Sequence, residues 1–288
     1  MPNLMPLFTY AGGKREVVNK FSTYLVRTKT YIEPFFGGGA VWCLMNNCGL
    51  ADHYVINDNN SELMKLYSDI KNCPRDVVDE AKELEAKYRK LPPDDLKHSY
   101  YKELDNYRRC QTSGRLLFLA NTCFNGFWSK DANGLFYSAS GHMLSILRPD
   151  RVIIAEEQVW LWSDALQNTD IYVGDYSQLV IPSDSICFCD PPYLDAKADY
   201  DGEFGIDEQK KLFNWCDEIA KDQSVSIIQT NRADGKFFEG MFKPASNRKL
   251  ITYDMTYTPG PKKPKFREIA MIWNPLFNDP ERFGLFLS

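Results

Sequence analysis

The chain has little histidine and no Cys-x-x-Cys pair. Its three histidines, His53, His98 and His142, stand far apart in sequence. These shortages argue against a zinc site and against imidazole-based acid–base catalysis. Eight cysteines in 288 residues do not form the dense framework of a small secreted disulfide domain. No apolar run approaches the roughly 18 residues of a membrane span. The opening Met1-Pro2-Asn3-Leu4-Met5-Pro6 has neither the basic nor the apolar region of a secretory signal, so a cytoplasmic location is expected. Internal repeats, low-complexity tracts and the Gly-x-Gly-x-x-Gly dinucleotide fingerprint are also missing.

Enough is present for a full core: 44% of the residues are hydrophobic and 25% are charged, as in globular proteins. A net charge of −5 does not by itself point to nucleic acid. Local basic clusters at 82–90, 97–115 and 262–267 leave that question open, because patches rather than net charge decide binding.

One stretch organises the rest: Ser185-Ile186-Cys187-Phe188-Cys189-Asp190-Pro191-Pro192-Tyr193. Its apolar run predicts a parallel strand covered on both faces. Pro191 and Pro192 have no N–H to donate, so the ladder stops at Asp190. Open α/β sheets place their ligands at that carboxyl edge. There the Asp190 carboxylate and the Pro191 carbonyl form a rigid pair of acceptors suited to an NH2 group. Tyr193 adds a face for base stacking, a contact worth roughly 1–3 kcal/mol. The plain alternative is a structural turn.

Before this stretch, Tyr10-Ala11-Gly12-Gly13-Lys14 reads as a glycine-hinged loop entering a helix with Val17, Val18, Phe21 and Leu25 inward. Tyr31 to Phe35 reads as a strand, Gly37-Gly38-Gly39 as a loop, and Val41, Leu44, Met45 and Cys48 as the inner face of the next helix. Such a loop brings backbone close to a cofactor at a helix N-terminus. A second strand, Tyr54-Val55-Ile56, ends in Asn57-Asp58-Asn59-Asn60. Asp58 stands where α/β proteins bind ribose hydroxyls, while Asn59 with Glu62 predicts a capping box.

From Pro74 to about Gln111 the pattern turns helical, with one charged helix carrying Val77, Ala81, Leu84 and Tyr88 and another Leu96, Tyr100, Leu104 and Tyr107, parted by Leu91-Pro92-Pro93. The segment from Asn121 to Tyr137 holds two Asn-Gly dipeptides among aromatics, predicting a hairpin. Its tip suits either nucleic-acid contact or simple packing. The sheet resumes at 170–176, and 194–205 is long enough to be a lid. Strands are expected at 225–229, 250–257 and 268–273, the last two around the loop 261–265.

Tyr10 to Lys14, Glu33 to Gly39 and Asp190-Pro191-Pro192-Tyr193, in that order and with a helical insertion between the second and third, resemble the Dam-type (D12 class, alpha-group) DNA adenine-N6 methyltransferases. The likeness extends over nearly the whole chain. It implies an α/β fold of the class I methyltransferase, Rossmann-like kind: a mostly parallel twisted sheet with one reversed strand. It divides the chain into a catalytic part, 1–60 and 163–288, and a target-recognition insertion, 61–162. The implied cofactor is S-adenosylmethionine without a metal. Tyr10, Lys14, Glu33, Phe35, Gly37, Gly39, Asp58 and Asp190 are its implied contacts. Asp190, Pro191, Pro192 and Tyr193 are the implied catalytic residues, and Phe124, Asn125, Gly126, Ser129 and Lys130 the implied DNA contacts. Relatives that read GATC carry an arginine shortly after this Asn-Gly; here Ser129 occupies the place, so the resemblance assigns no recognition sequence.

The implied substrate is DNA, expected to be double-stranded, with a flipped adenine and a place in restriction-modification. The protein is expected to act as a monomer or weak dimer, nucleoid-associated or phage-encoded. Cytosine-N4 methylation and a catalytically silent DNA- or cofactor-binding regulator are the rivals. Asp190 favours adenine, since cytosine-N4 relatives more often have Ser at that position.

Overall fold

The computed structural model describes residues 3–10, 20, 22–126, 128–131, 133–193, 204–233, 237–243, 245–256 and 265–275. In chain order the elements are β1 (Thr28–Glu33), α1 (Ala40–Asn47), β2 (Ala51–Asp58), α2 (Ser61–Asn72), α3 (Pro74–Tyr88), α4 (Leu96–Arg109) and α5 (Ser113–Thr122). Then come β3 (Ser129–Lys130), β4 (Phe136–Tyr137), α6 (Met143–Ile146), α7 (Glu156–Leu166), β5 (Thr169–Val173) and β6 (Ser185–Cys189). The last are α8 (Ile206–Ile219), β7 (Ser226–Arg232), α9 (Phe237–Met241), β8 (Arg248–Thr256) and β9 (Lys265–Trp273).

Seven of these strands form one sheet in the order β5-β2-β1-β6-β7-β9-β8. The pairs β1–β2, β1–β6, β2–β5 and β6–β7 are parallel. Strand β9 runs antiparallel to both β7 and β8, which makes it the single reversed strand. The sheet therefore has the mostly parallel form, with one reversal near the end, that the sequence led one to expect.

Every residue of β6 is buried. Alternate side chains serve opposite faces of a strand. Ile186 and Phe188 join the core with Tyr31, Tyr54 and Ile56, whereas Cys187 and Cys189 join Leu212, Cys216 and Trp273 on the other side. Both cysteines are small buried hydrophobes in a doubly covered strand. At roughly 25 cal/mol per Å² of apolar surface removed from water, this two-sided burial dominates the stability of the strand.

Two helices at either end of the helical region pack beside β2 and β5. Tyr67 of α2 stacks on Trp162 of α7 with ring centroids 5.0 Å apart and planes 12° apart. Phe36 and Trp42 complete this aromatic group. The Trp162 indole N–H donates to the Met5 carbonyl at 2.7 Å, which ties the N-terminal segment down.

Two local expectations are corrected. The cap of α2 is Asn60, whose Oδ1 accepts from the Leu63 N–H at 3.2 Å; it is not Asn59. Glu62 does not return to the cap, because it is recruited by the Tyr107 hydroxyl and the Phe136 N–H. The hairpin is also shorter than expected. Among the described residues its ladder is Ser129–Lys130 against Phe136–Tyr137, with an isolated bridge between Cys123 and Ser140, and Gly134 of the second Asn-Gly lies in its turn. The first Asn-Gly forms a separate helical turn, with Asn125 at φ 52° and Gly126 at φ 66°. Gly12, Gly13, Lys14, Val17, Val18, Phe21, most of the expected lid (194–203) and 261–264 of the lysine-rich loop lie outside the described residues.

Candidate active site

From β1 the chain moves outward to β2 and β5, then returns to the other side of β1 as β6. The strand order reverses between β1 and β6, and a crevice opens there at the carboxyl ends. Glu33 ends β1, Asp190 follows β6, Asp58 ends β2 and Thr230 lies near the end of β7. Residues from four strand ends, two of them well over a hundred residues before the other two, thus converge on one edge.

The glycine loop is locked from above and below. A side chain on Gly38 would meet Tyr10 Cβ at 2.8 Å, so the Tyr10 ring lies directly over the loop. Gly37 has φ 48°, Asp58 Oδ2 accepts its N–H at 2.9 Å, and the Tyr67 hydroxyl donates to its carbonyl at 2.8 Å. Gly39, at φ 66°, starts α1 with its N–H on the Phe36 carbonyl at 2.9 Å. Asp58 Oδ1 accepts from the Asn60 N–H at 2.9 Å. Burial raises the Asp58 carboxyl above its usual range, against these N–H donors and the charge of Lys130. A carboxylate offers about four acceptor positions, more than the N–H groups of Gly37, Asn59 and Asn60 take up.

Glu33 sits beneath the loop, only 3% exposed, where its Oε2 accepts from the Tyr31 hydroxyl at 2.8 Å. Burial pushes its carboxyl well up; the Tyr31 hydroxyl and the Trp42 N–H oppose this, and the neighbouring Asp190 charge adds to it. Phe35 lies beside the loop against Tyr176 and Phe204, at centroid distances of 5.2 and 5.6 Å. A carboxylate at the end of β2, aromatic faces at Phe35 and Tyr176, and a close backbone bend together fit a purine nucleoside with an attached amino-acid chain.

Across the crevice, Asp190 Oδ1 accepts from the Thr230 hydroxyl at 2.7 Å. Gln209 Nε2 donates to the Pro192 carbonyl at 2.9 Å, and Asn231 Nδ2 donates to Gln209 Oε1 at 3.1 Å. Thr230, Gln209 and Asn231 are all fully buried. The Asp190-Pro191-Pro192 turn is therefore fastened by β7 and α8, and the Pro191 carbonyl stands between two anchored neighbours. The Tyr193 hydroxyl donates to Glu268 Oε1 at 2.8 Å. None of these four supporting residues was identified as a site residue from sequence; the only trace of them was the polar Thr-Asn that closes β7.

The expected DNA contacts divide. Phe124 and Asn125 are exposed, as is Tyr137 on β4, with Arg108 over its ring at 5.3 Å. Gly126 is buried against Thr9, whose carbonyl oxygen a Cβ would meet at 2.4 Å. The Ser129 hydroxyl bonds to the Tyr137 carbonyl within the hairpin. Lys130 is half-buried: burial lowers its ammonium below the ordinary lysine value, against the charges of Glu62 and Asp58. Among the described residues no three His, Cys, Asp or Glu side chains are grouped to hold a metal ion, and no helix is long and apolar enough to cross a membrane.

The chain is 25% identical over 279 residues to the type II methyltransferase M.MjaIII of Methanocaldococcus jannaschii, covering 90% of this chain and 94% of that protein. It is 24% identical over 234 residues to the DNA adenine methylase of Salmonella typhi, covering 77% and 79%. To the DNA N-6-adenine-methyltransferase of Escherichia phage P1 it is 26% identical, over 78% of this chain but 29% of that protein. The family model of the D12 class N6 adenine-specific DNA methyltransferases matches residues 10–257, so the chain belongs to that family and is an enzyme that methylates adenine N6 in DNA.

Proposed function

We propose that the chain methylates an adenine extruded from duplex DNA, with its amino group held by Asp190 and the Pro191 carbonyl and its ring resting on Tyr193. The observation that supports this most is the Thr230–Asp190 bond. It consumes one acceptor site of Oδ1 and orients the carboxylate, whose oxygens together offer about four acceptor positions. Extruding a base costs a few kcal/mol, which stacking on Tyr193 partly offsets.

S-adenosylmethionine, implied by the family, supplies a methyl group already activated by positive sulfur. In this reading Asp58, Phe35, Tyr176 and the bend at Gly37 to Gly39 hold its nucleoside and amino-acid parts, with Tyr10 covering the loop. Lys14 is assigned the same role from sequence. The exocyclic nitrogen of adenine is a poor nucleophile because its lone pair is delocalised into the ring. Hydrogen bonds from that N–H2 to Asp190 and Pro191 favour a more tetrahedral nitrogen and aim its lone pair. The Asp190 carboxylate also stabilises the positive charge that develops on the nitrogen as it is alkylated. Preorganised acceptors and in-line positioning supply most of the acceleration.

The catalytic part is assigned to 1–60 and 163–288, and the DNA-facing part to 61–162. Phe124, Asn125 and Tyr137 meet the DNA, while Gly126, Ser129 and Lys130 shape the hairpin behind them. The enzyme acts in the cytoplasm, alone or as the modification half of a restriction system. Nucleoside analysis of DNA from a methylation-free host tests this reading. The parent should deposit N6-methyladenine, and Asp190→Ala none while remaining folded; near-parental methylation by purified Asp190→Ala would refute the assignment.

A further inference from the structure

Glu268 lies in the middle of β9, 4% exposed, in a row that crosses three strands: Tyr253 of β8 is its partner on one side and Arg232 of β7 on the other. A carboxylate so thoroughly buried is costly unless its oxygens are used. One of them accepts the Tyr193 hydroxyl at 2.8 Å, across 75 residues of sequence. Burial, with Asp190 and Glu268 close by, pushes the Tyr193 hydroxyl well above its ordinary value, so it remains a donor over the working pH range. Tyr253 is shifted upward for the same reasons, and both phenols gather around this carboxylate.

Tyr193 follows two prolines on a turn, and its ring is joined to that turn through Cβ. A hydroxyl tied to β9, which is paired on both sides in the sheet, gives the far end of the ring an anchor and limits its freedom to tilt. The turn itself is held independently through Asp190 and Pro192. We propose that Glu268 is a positioning residue for adenine methylation, holding the Tyr193 hydroxyl so that the ring presents a fixed plane on which the target base stacks with N6 at Asp190. The inference rests on the reading of Tyr193 as the stacking platform.

The test uses the full-length enzyme, DNA from a methylation-free host, and separate kcat and KM values for DNA, with the cofactor dissociation constant as control. Tyr193→Phe and Glu268→Ala are each expected to lower kcat/KM for DNA about tenfold, the loss of one hydrogen bond to a charged group, with cofactor affinity unchanged. Glu268→Gln keeps an acceptor oxygen and is expected to recover to within about threefold of the parent. The double variant Tyr193→Phe/Glu268→Ala should be no worse than Glu268→Ala, because both changes break the same contact. Parental kcat/KM in Tyr193→Phe, a Glu268→Gln as impaired as Glu268→Ala, or multiplied losses in the double variant would each overturn the proposal. Should Glu268→Ala fail to fold, Tyr193→Phe and Glu268→Gln decide alone. Tyr193→Ala separates the two layers. If it is impaired while Tyr193→Phe is not, only the role of Glu268 falls; if it too is normal, the stacking platform falls with it.

Discussion

The Thr230 hydroxyl donates to Asp190 Oδ1 at 2.7 Å, linking the end of β7 to the first residue after β6. Thr230 is fully buried, and its hydroxyl is the only part of the side chain that a valine would not replace. Thr230→Val is therefore expected to keep the fold and slow methyl transfer about tenfold or more, since a hydrogen bond to a charged group contributes about 1.5–3 kcal/mol. Single-turnover methylation at saturating DNA and cofactor measures this. An unchanged rate would show that Asp190 is oriented without Thr230.

Gly39 combines a left-handed backbone, φ 66°, with no room for a side chain. A Cβ there would meet Phe36 Cζ at 2.7 Å and Trp162 Cη2 at 2.8 Å, both in the packed aromatic group under the loop. The backbone conformation costs about 1–2 kcal/mol for a non-glycine residue, and overpacking typically adds about 1–3 kcal/mol. Gly39→Ala should lower the denaturation midpoint by several degrees and weaken cofactor binding. A melt equal to that of the parent would mean that the loop relaxes without cost.

These contacts mark the limit of what sequence can reveal here. The apolar run at 185–189 and its proline stop fixed the position of Asp190, because a strand and its end are local properties of the chain. The same holds for the Gly37 to Gly39 bend and for Asp58 at the end of β2. Thr230, Gln209 and Glu268 reach the site across 40, 17 and 75 residues respectively, and no local spacing marks them. Asn59 and Glu62 had the spacing of a capping box, yet Glu62 is taken by Tyr107 and Phe136 from elements that pack later in the chain. Tertiary hydrogen bonds overrode a local preference worth no more than a few kcal/mol. Helix α7 carried Val159, Trp162 and Leu166 at helical spacing, a signal that would have located it.

Glu33 makes the stability of the fold depend on pH. Burial raises its carboxyl well above the usual range, so the folded protein holds this proton more tightly than the unfolded chain does. The unfolded value is about 4.3. Its contribution to stability is full below that pH and is lost as pH rises through the elevated folded value. Glu33→Gln keeps an amide oxygen for the Tyr31 hydroxyl and has no proton to lose. The variant should melt higher than the parent at pH 8, with the gap closing toward pH 4. A gap independent of pH would exclude a titrating Glu33 as its origin.

Lys130 distinguishes a DNA contact from a support for the cofactor loop. Its position next to Ser129 matches a base- or phosphate-contacting residue in sequence, but the charges of Asp58 and Glu62 act on its ammonium. Asp58 in turn holds the Gly37 N–H. Removing the positive charge takes away one of the influences that hold down the proton affinity of Asp58, and the Asp58–Gly37 bond weakens as Asp58 takes up a proton. Lys130→Ala should therefore loosen cofactor binding, with a larger effect at lower pH. Its log–log dependence of DNA affinity on salt should match the parental slope. A lost phosphate contact would instead reduce that slope by about 1. Titrating both proteins with DNA at several salt concentrations, and with cofactor at pH 6 and 8, makes the comparison. A reduced slope with unchanged cofactor affinity would return Lys130 to the DNA interface.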